Sequence, residues 1–166
     1  MKKTINNMLM AFVAILALTL SSCAQSDNSQ SEQSPVVGQW ESTSEEGWTF
    51  HEDGETVKTY YIYQNDNTVM VWNYDELGEL IEKETIEEVF EPNVLNIKSN
   101  GTLSLSTRAG EMACDYYLKG NRIVLPDWGD EVIWNYSIED GQMVIEEQNY
   151  YKGVLDSYII TSYQRK

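Results

Sequence analysis

Positive charge is scarce in this sequence. Eleven Lys and Arg stand against 27 Asp and Glu, a formal net charge of -16. A chain this acidic cannot neutralise a phosphate backbone, which excludes nucleic acid as a partner. It also excludes a fold lying flat on anionic headgroups. Histidine is scarcer still, with His51 alone, so no multi-His zinc site can form within one chain. There is no Gly-x-Ser-x-Gly elbow, no Walker loop and no Cys-x-x-Cys pair. Cysteine occurs twice, at Cys23 and Cys114.

The one uncharged apolar run, from Met8 to Leu20, follows Met1-Lys2-Lys3. It falls short of the roughly 20 residues of a spanning helix and suits the h-region of a secretory signal. It closes on Leu20-Ser21-Ser22-Cys23, which resembles the bacterial lipobox. Small residues let a peptidase grip extended backbone, and the thiol is the acceptor for diacylglycerol. The resemblance implies a signal peptide over 1–22 and a lipidated Cys23, with acyl chains such as palmitate anchoring the chain to a membrane. Ala24, where an Asp would favour inner-membrane retention, points to the outer membrane of a cell envelope. With Cys23 taken by lipid, Cys114 has no disulfide partner and reads as a small buried hydrophobe.

Residues 24–35, AQSDNSQSEQSP, hold no aromatic and no large aliphatic side chain. They cannot bury enough apolar surface to offset their ordering entropy, so 23–35 is a lipidated tether and 36–166 the folded domain. The signal segment carries two lysines and no acid, so its removal takes the charge of -16 to -18.

All five Trp and all eleven Tyr lie beyond the tether, and these residues favour strands. Glycines at 101, 110, 120, 129, 141 and 153 set a rhythm of nine to twelve residues, as strands separated by turns do. Asp53-Gly54, Asn100-Gly101, Gly120-Asn121 and Asp140-Gly141 carry turn chemistry. Between them the apolar period is close to two, as in Val132, Trp134, Tyr136 and Ile138. Strands are expected near 36–42, 57–64, 67–74, 93–98, 102–108, 112–118, 121–125, 131–138, 142–150 and 154–164. Residues 79–91 fit neither period well, which leaves a strand and a short acidic helix both open.

Val37-Gly38-Gln39-Trp40 resembles the Gly-x-Trp of the first lipocalin strand. Trp48-Thr49-Phe50-His51-Glu52-Asp53-Gly54-Glu55-Thr56 and Tyr117-Leu118-Lys119-Gly120-Asn121-Arg122-Ile123-Val124-Leu125 are similar to hairpins of bacterial lipocalin-like lipoproteins, as is the closing Tyr163-Gln164-Arg165. The Thr-Asp-Tyr phrase of eukaryotic lipocalins is absent. The resemblance implies an all-β, antiparallel up-and-down lipocalin-like barrel of about 8–10 strands. It also implies that Gly38, Trp40 and Arg165 close one end, the arginine stacking on the tryptophan ring.

No residue set singles itself out for catalysis. His51 with Glu52 and Asp53 reads as a solvated turn. The pairs Asp75/Glu76, Glu87/Glu88, Asp130/Glu131 and Glu146/Glu147 are too many for any one to mark a glycosidase. Asp127-Trp128-Gly129-Asp130 lacks the ligand spacing of a calcium loop. Neither an enzyme, a metal nor a cofactor is expected. The expected function is binding of a small hydrophobic ligand in the barrel, with Tyr61, Met70, Trp72, Trp134 and Tyr136 as the candidate lining. The alternative is a solidly packed barrel that acts through its surface as a protein- or glycan-interaction or inhibitor module.

Overall fold

The structure is a computed structural model that describes residues 34–64, 67–129 and 131–166. Those residues form twelve strands and a single 3-10 turn at Pro126–Trp128. The strands are β1 (Gly38–Phe50), β2 (Val57–Gln64), β3 (Thr68–Tyr74), β4 (Leu80–Glu87), β5 (Val94–Ile97), β6 (Thr102–Thr107), β7 (Gly110–Asp115), β8 (Tyr117–Lys119), β9 (Arg122–Val124), β10 (Val132–Glu139), β11 (Gln142–Tyr151) and β12 (Val154–Arg165). Every pairing is antiparallel, the architecture expected of the alternating pattern.

The count rises to twelve for two reasons. Residues 112–118 break after Asp115, separating β7 from β8. The segment left open by its periodicity contains β4. All eight residues of β4 are exposed, so burial never imposed alternation on its sequence. The first strand also runs further than expected, to Phe50. A bulge between Ser42 and Ser44 shifts the side-chain parity part-way along it, hiding the period of two.

Strand β1 organises the sheet. β12 pairs along its length, β5 pairs with its first half from Gly38 to Glu41, and β2 pairs with its second half from Glu46 to Phe50. Two branches therefore leave the same side of β1, one through β2, β3 and β4, the other through β5, β6 and β7. On the other side the order is β12, β11, β10, β9, β8.

The β5 branch and the β12 side close around one core. Trp40, Leu95, Ile97, Leu103, Ile123 and Met143 are fully buried there, with Trp134, Ile145 and Tyr163 beside them. Trp40 donates its indole N–H to the Val36 carbonyl at 2.8 Å. Arg165 lies over the same ring, 4.7 Å from its centroid, and donates to the Pro35 carbonyl at 2.6 Å. Gly38 leaves room for that guanidinium, since a Cβ there would stand 3.4 Å from Nη1 of Arg165. This end of the barrel is filled by its own side chains, so the ligand space expected inside is not found at this end. Cys114 packs against the core half-buried, and burial, with Asp127 and Asp115, raises its thiol pKa. Cys23 and the signal segment lie outside the described residues.

Candidate functional site

The second half of β1 belongs to an open sheet, β4-β3-β2-β1-β12-β11, with two unlike faces. Register assigns the side chains. Trp48 stands opposite Tyr60 and Tyr158, and Tyr60 opposite Trp72, so four large rings fall in one row across β3, β2, β1 and β12. Neighbouring strands lie about 4.8 Å apart, close to the spacing at which aromatic rings stack. The rings follow that spacing. Centroids are 5.0 Å apart for Trp72 and Tyr60, 5.0 Å for Tyr60 and Trp48, and 5.4 Å for Trp48 and Tyr158, with interplanar angles of 26–29°. Lys83 on β4 ends the row, its ammonium 4.9 Å from the Trp72 ring.

Acids pin the two tyrosines. Tyr60 donates to Glu46 at 2.9 Å, and burial, with the Glu146 and Glu46 carboxylates, raises the pKa of Tyr158. Burial first, then the Glu46 carboxylate, pushes the Tyr60 pKa up to about 12, so its hydroxyl remains a neutral donor. Met70, Ile62, Glu46 and Ile160 form the next row on the same face. Same-face rows lie about 7 Å apart, so this row packs beside the ladder and touches it where Glu46 meets Tyr60. On the ladder's other side Trp48, Tyr60, Val57, Tyr74, Thr56 and Gly78 enclose a depression of about 390 Å³ between the β1–β2 and β3–β4 turns.

Both turns are built by an aspartate. Asp53 accepts from the backbone of Glu55 and Thr56 and from the Thr56 hydroxyl. These bonds, the Thr56 hydroxyl foremost, lower its pKa to about 2. Asp75 accepts from the amides of Leu77 and Glu79, both at 2.9 Å. His51 Nε2 lies 3.3 Å from the Tyr74 carbonyl, tying one turn to the other. A wider cleft of about 890 Å³ opens beside His51, Glu52, Asp53, Lys58 and Asp156. Its lining is mixed, with Phe50, Tyr151, Val154 and Leu155 beside the charged groups, and the Lys152 ammonium lies 4.9 Å from the Tyr151 ring.

The core-side face of the same sheet carries a half-buried polar cluster. Tyr61 donates to Glu45 at 3.0 Å. Its ring lies flat over Gly47, where a Cβ would fall 2.6–2.7 Å from the phenol atoms. Asn149 donates to Glu147 at 2.8 Å. Burial raises the pKa of both carboxyls, and the Glu147 charge raises that of Glu45 further. The indole N–H of Trp134 has no partner within hydrogen-bond limits, yet it faces Glu147 closely enough to favour the ionised carboxylate. Among the described residues no three His, Cys, Asp or Glu side chains gather as a metal set.

The five residues expected to line one pocket are divided by register. Met70 and Trp72 lie on the outer, ladder face, whereas Tyr61, Trp134 and Tyr136 lie on the core-side face. They do not meet in a single site. Sequence reasoning missed Tyr60, Tyr158, Tyr74 and Lys83. In β2 both alternating sets carry tyrosine, Tyr60 in one and Tyr61 and Tyr63 in the other, so the sequence does not say which set faces out. Only the cross-strand register brings Tyr158 beside Trp48.

The sequence matches no model of a known protein family, and no curated protein sequence matches it significantly. Among solved structures it is similar to a zebrafish ileal bile acid-binding protein complexed with cholic acid. That superposition has a TM-score of 0.31 at 11% identity and covers 80% of this chain and 100% of the other. It is also similar to bovine odorant-binding protein in complex with a selenium-containing odorant, with a TM-score of 0.27 at 12% identity over 86% of this chain and 78% of the other. Both overlaps are loose, and the function has to rest on the chain's own geometry.

Proposed function

We propose that this protein is a non-enzymatic binding module, anchored through a lipidated Cys23 in the outer membrane of a bacterial envelope, that holds a flat apolar small molecule against its aromatic ladder. The four-ring stack of Trp72, Tyr60, Trp48 and Tyr158 carries the reading. An aromatic row set on rigid strands presents apolar area at little entropic cost. Met70, Ile62 and Ile160 in the next row extend the apolar area beside the rings. The packed barrel end serves as the scaffold. The lipobox supplies the anchoring half of the proposal, and the polar tether would hold the module off the bilayer.

Nile red, a neutral planar dye, tests the ligand half with the full chain in detergent below the dye's own partitioning threshold. Saturable binding with quenching of tryptophan emission is expected, weakened at least tenfold in Trp72→Ala. Dye binding that survives this change undiminished overturns the ladder as the site. Palmitate labelling tests the anchor, with Cys23→Ser expected to abolish incorporation and release the chain from the membrane fraction.

A further inference from the structure

We infer that the free edge of β4 accepts an extended, basic segment of another protein as a thirteenth strand. β4 ends its branch of the sheet and pairs only with β3 among the described residues, which leaves one side of its backbone without a ladder partner. Proteins ordinarily blunt such edges, because unpaired N–H and C=O groups template further pairing. Here the edge is eight residues long, and all eight are exposed. Apolar side chains accompany it, with Leu77 86%, Ile81 66%, Val89 62%, Leu80 55% and Ile86 41% exposed.

Charge selects the occupant. β4 carries Glu82, Glu84 and Glu87 against Lys83 alone, and Lys83 is engaged with the Trp72 ring. Two copies of this edge would bring excess negative charge together, so pairing between copies is disfavoured. A basic strand meets the opposite situation. Register gives its pattern, since Glu82, Glu84 and Ile86 share the core-side face, while Lys83, Thr85 and Glu87 share the ladder face. An antiparallel partner read from its N-terminus therefore places an apolar residue opposite Ile86 and Lys or Arg opposite Glu84 and Glu82. A neutral or acidic residue falls between the two basic ones, facing Lys83. Main-chain bonds supply affinity in strand addition of this kind, and alternate side chains supply choice.

The inference stands apart from the ligand on the ladder, and loss of dye binding would leave it untouched. The test uses the full chain in detergent with a fluorescent peptide, Thr-Ile-Thr-Arg-Glu-Arg-Thr. Salt-sensitive binding is expected, with amide hydrogen exchange slowed across residues 80–87. The double variant Glu82→Lys, Glu84→Lys should retain its far-UV circular dichroism and lose the peptide at least tenfold. It should then bind the charge-swapped peptide Thr-Ile-Thr-Glu-Thr-Glu-Thr, whose central threonine still faces the unaltered Lys83. Absence of binding by the unaltered chain overturns the inference. So does binding that slows exchange elsewhere or ignores the charge reversal. Dimerisation of the unaltered chain that protects the same amides would assign the edge to a second copy and also overturn it.

Discussion

Glu45 and Glu147 stand where a barrel ordinarily places aliphatic side chains, on the core-side rows of β1 and β11. A carboxyl taken out of water loses hydration that one or two hydrogen bonds do not fully replace, and its charged form is the one disfavoured. Both acids show the consequence, because burial raises their pKa against the lowering effect of Tyr61 on Glu45 and of Asn149 on Glu147. The tyrosines around them, Tyr61 and Tyr163, are likewise pushed up and stay neutral. An acid whose pKa is higher folded than unfolded binds more protons in the native state between the two values. Its contribution to stability is therefore full below the ordinary carboxylate value near 4.5 and declines as pH rises through the folded value. Asp53 has the opposite sign but acts far lower, from its ordinary value near 3.8 down to about 2, and does not interfere. Glu147→Gln keeps an acceptor for Asn149 and removes the charge. It is expected to raise the melting temperature at pH 7.5 by a few degrees, the scale on which about 1 kcal/mol shows in a small domain. At pH 4 it should leave the melting temperature nearly unchanged. Thermal unfolding followed by circular dichroism at the two pH values decides this, and an equal shift at both would mean that ionisation is not what strains the site.

At the scale of elements, the aromatic ladder couples four strands that belong to different hairpins. β1 and β12 meet only through long-range pairing, whereas β2 and β3 form a local hairpin, so the stack ties a local unit to the barrel. Tyr60 is one of its two inner rungs and touches both Trp48 and Trp72. Each aromatic pair adds about 0.5–1.5 kcal/mol beyond its buried area. Tyr60→Ala forfeits two pairs together with the bond to Glu46, and a loss of roughly 2–4 kcal/mol is expected from the urea midpoint. Trp72→Ala removes an end rung and should cost about half as much. Equal losses would show that the rungs act separately rather than as a stack.

The strands of this sheet were largely legible in the sequence, because turn residues and alternation mark β2, β3, β6, β10, β11 and β12. The site was not. Alternation in β2 places tyrosine on both faces, and the bulge at Ser42 and Ser44 breaks the parity of β1 between the buried Trp40 and the half-exposed Trp48. A one-residue difference in register moves every side chain to the other face. Grouping Met70 and Trp72 with Tyr61 and Trp134 therefore required a register that composition does not contain. β4 was illegible for the converse reason, since a wholly exposed strand has no buried face to write a pattern.

For the whole molecule the dominant fact is the charge of -16. Charges of one sign crowd together on folding and raise the energy of the compact state relative to the expanded chain. Attraction offers little against this. The ion pairs among the described residues are Arg108 with Glu88 at 3.4 Å and Lys166 with Glu41 at 3.0 Å, both on partly or fully exposed side chains. Exposed pairs contribute about 0–1 kcal/mol each and weaken in salt. Screening therefore removes more repulsion than attraction. Raising NaCl from 10 to 150 mM shortens the Debye length from about 30 Å, comparable to the width of a domain, to about 8 Å, little more than the distance between neighbouring side chains. The melting temperature is expected to rise across that range and then to level off. Unchanged or falling values would mean that the acids are already neutralised in the native state, by bound cations or by one another's protons. Potassium and magnesium chloride compared at equal ionic strength would separate those two causes, since only site-bound cations distinguish the salts.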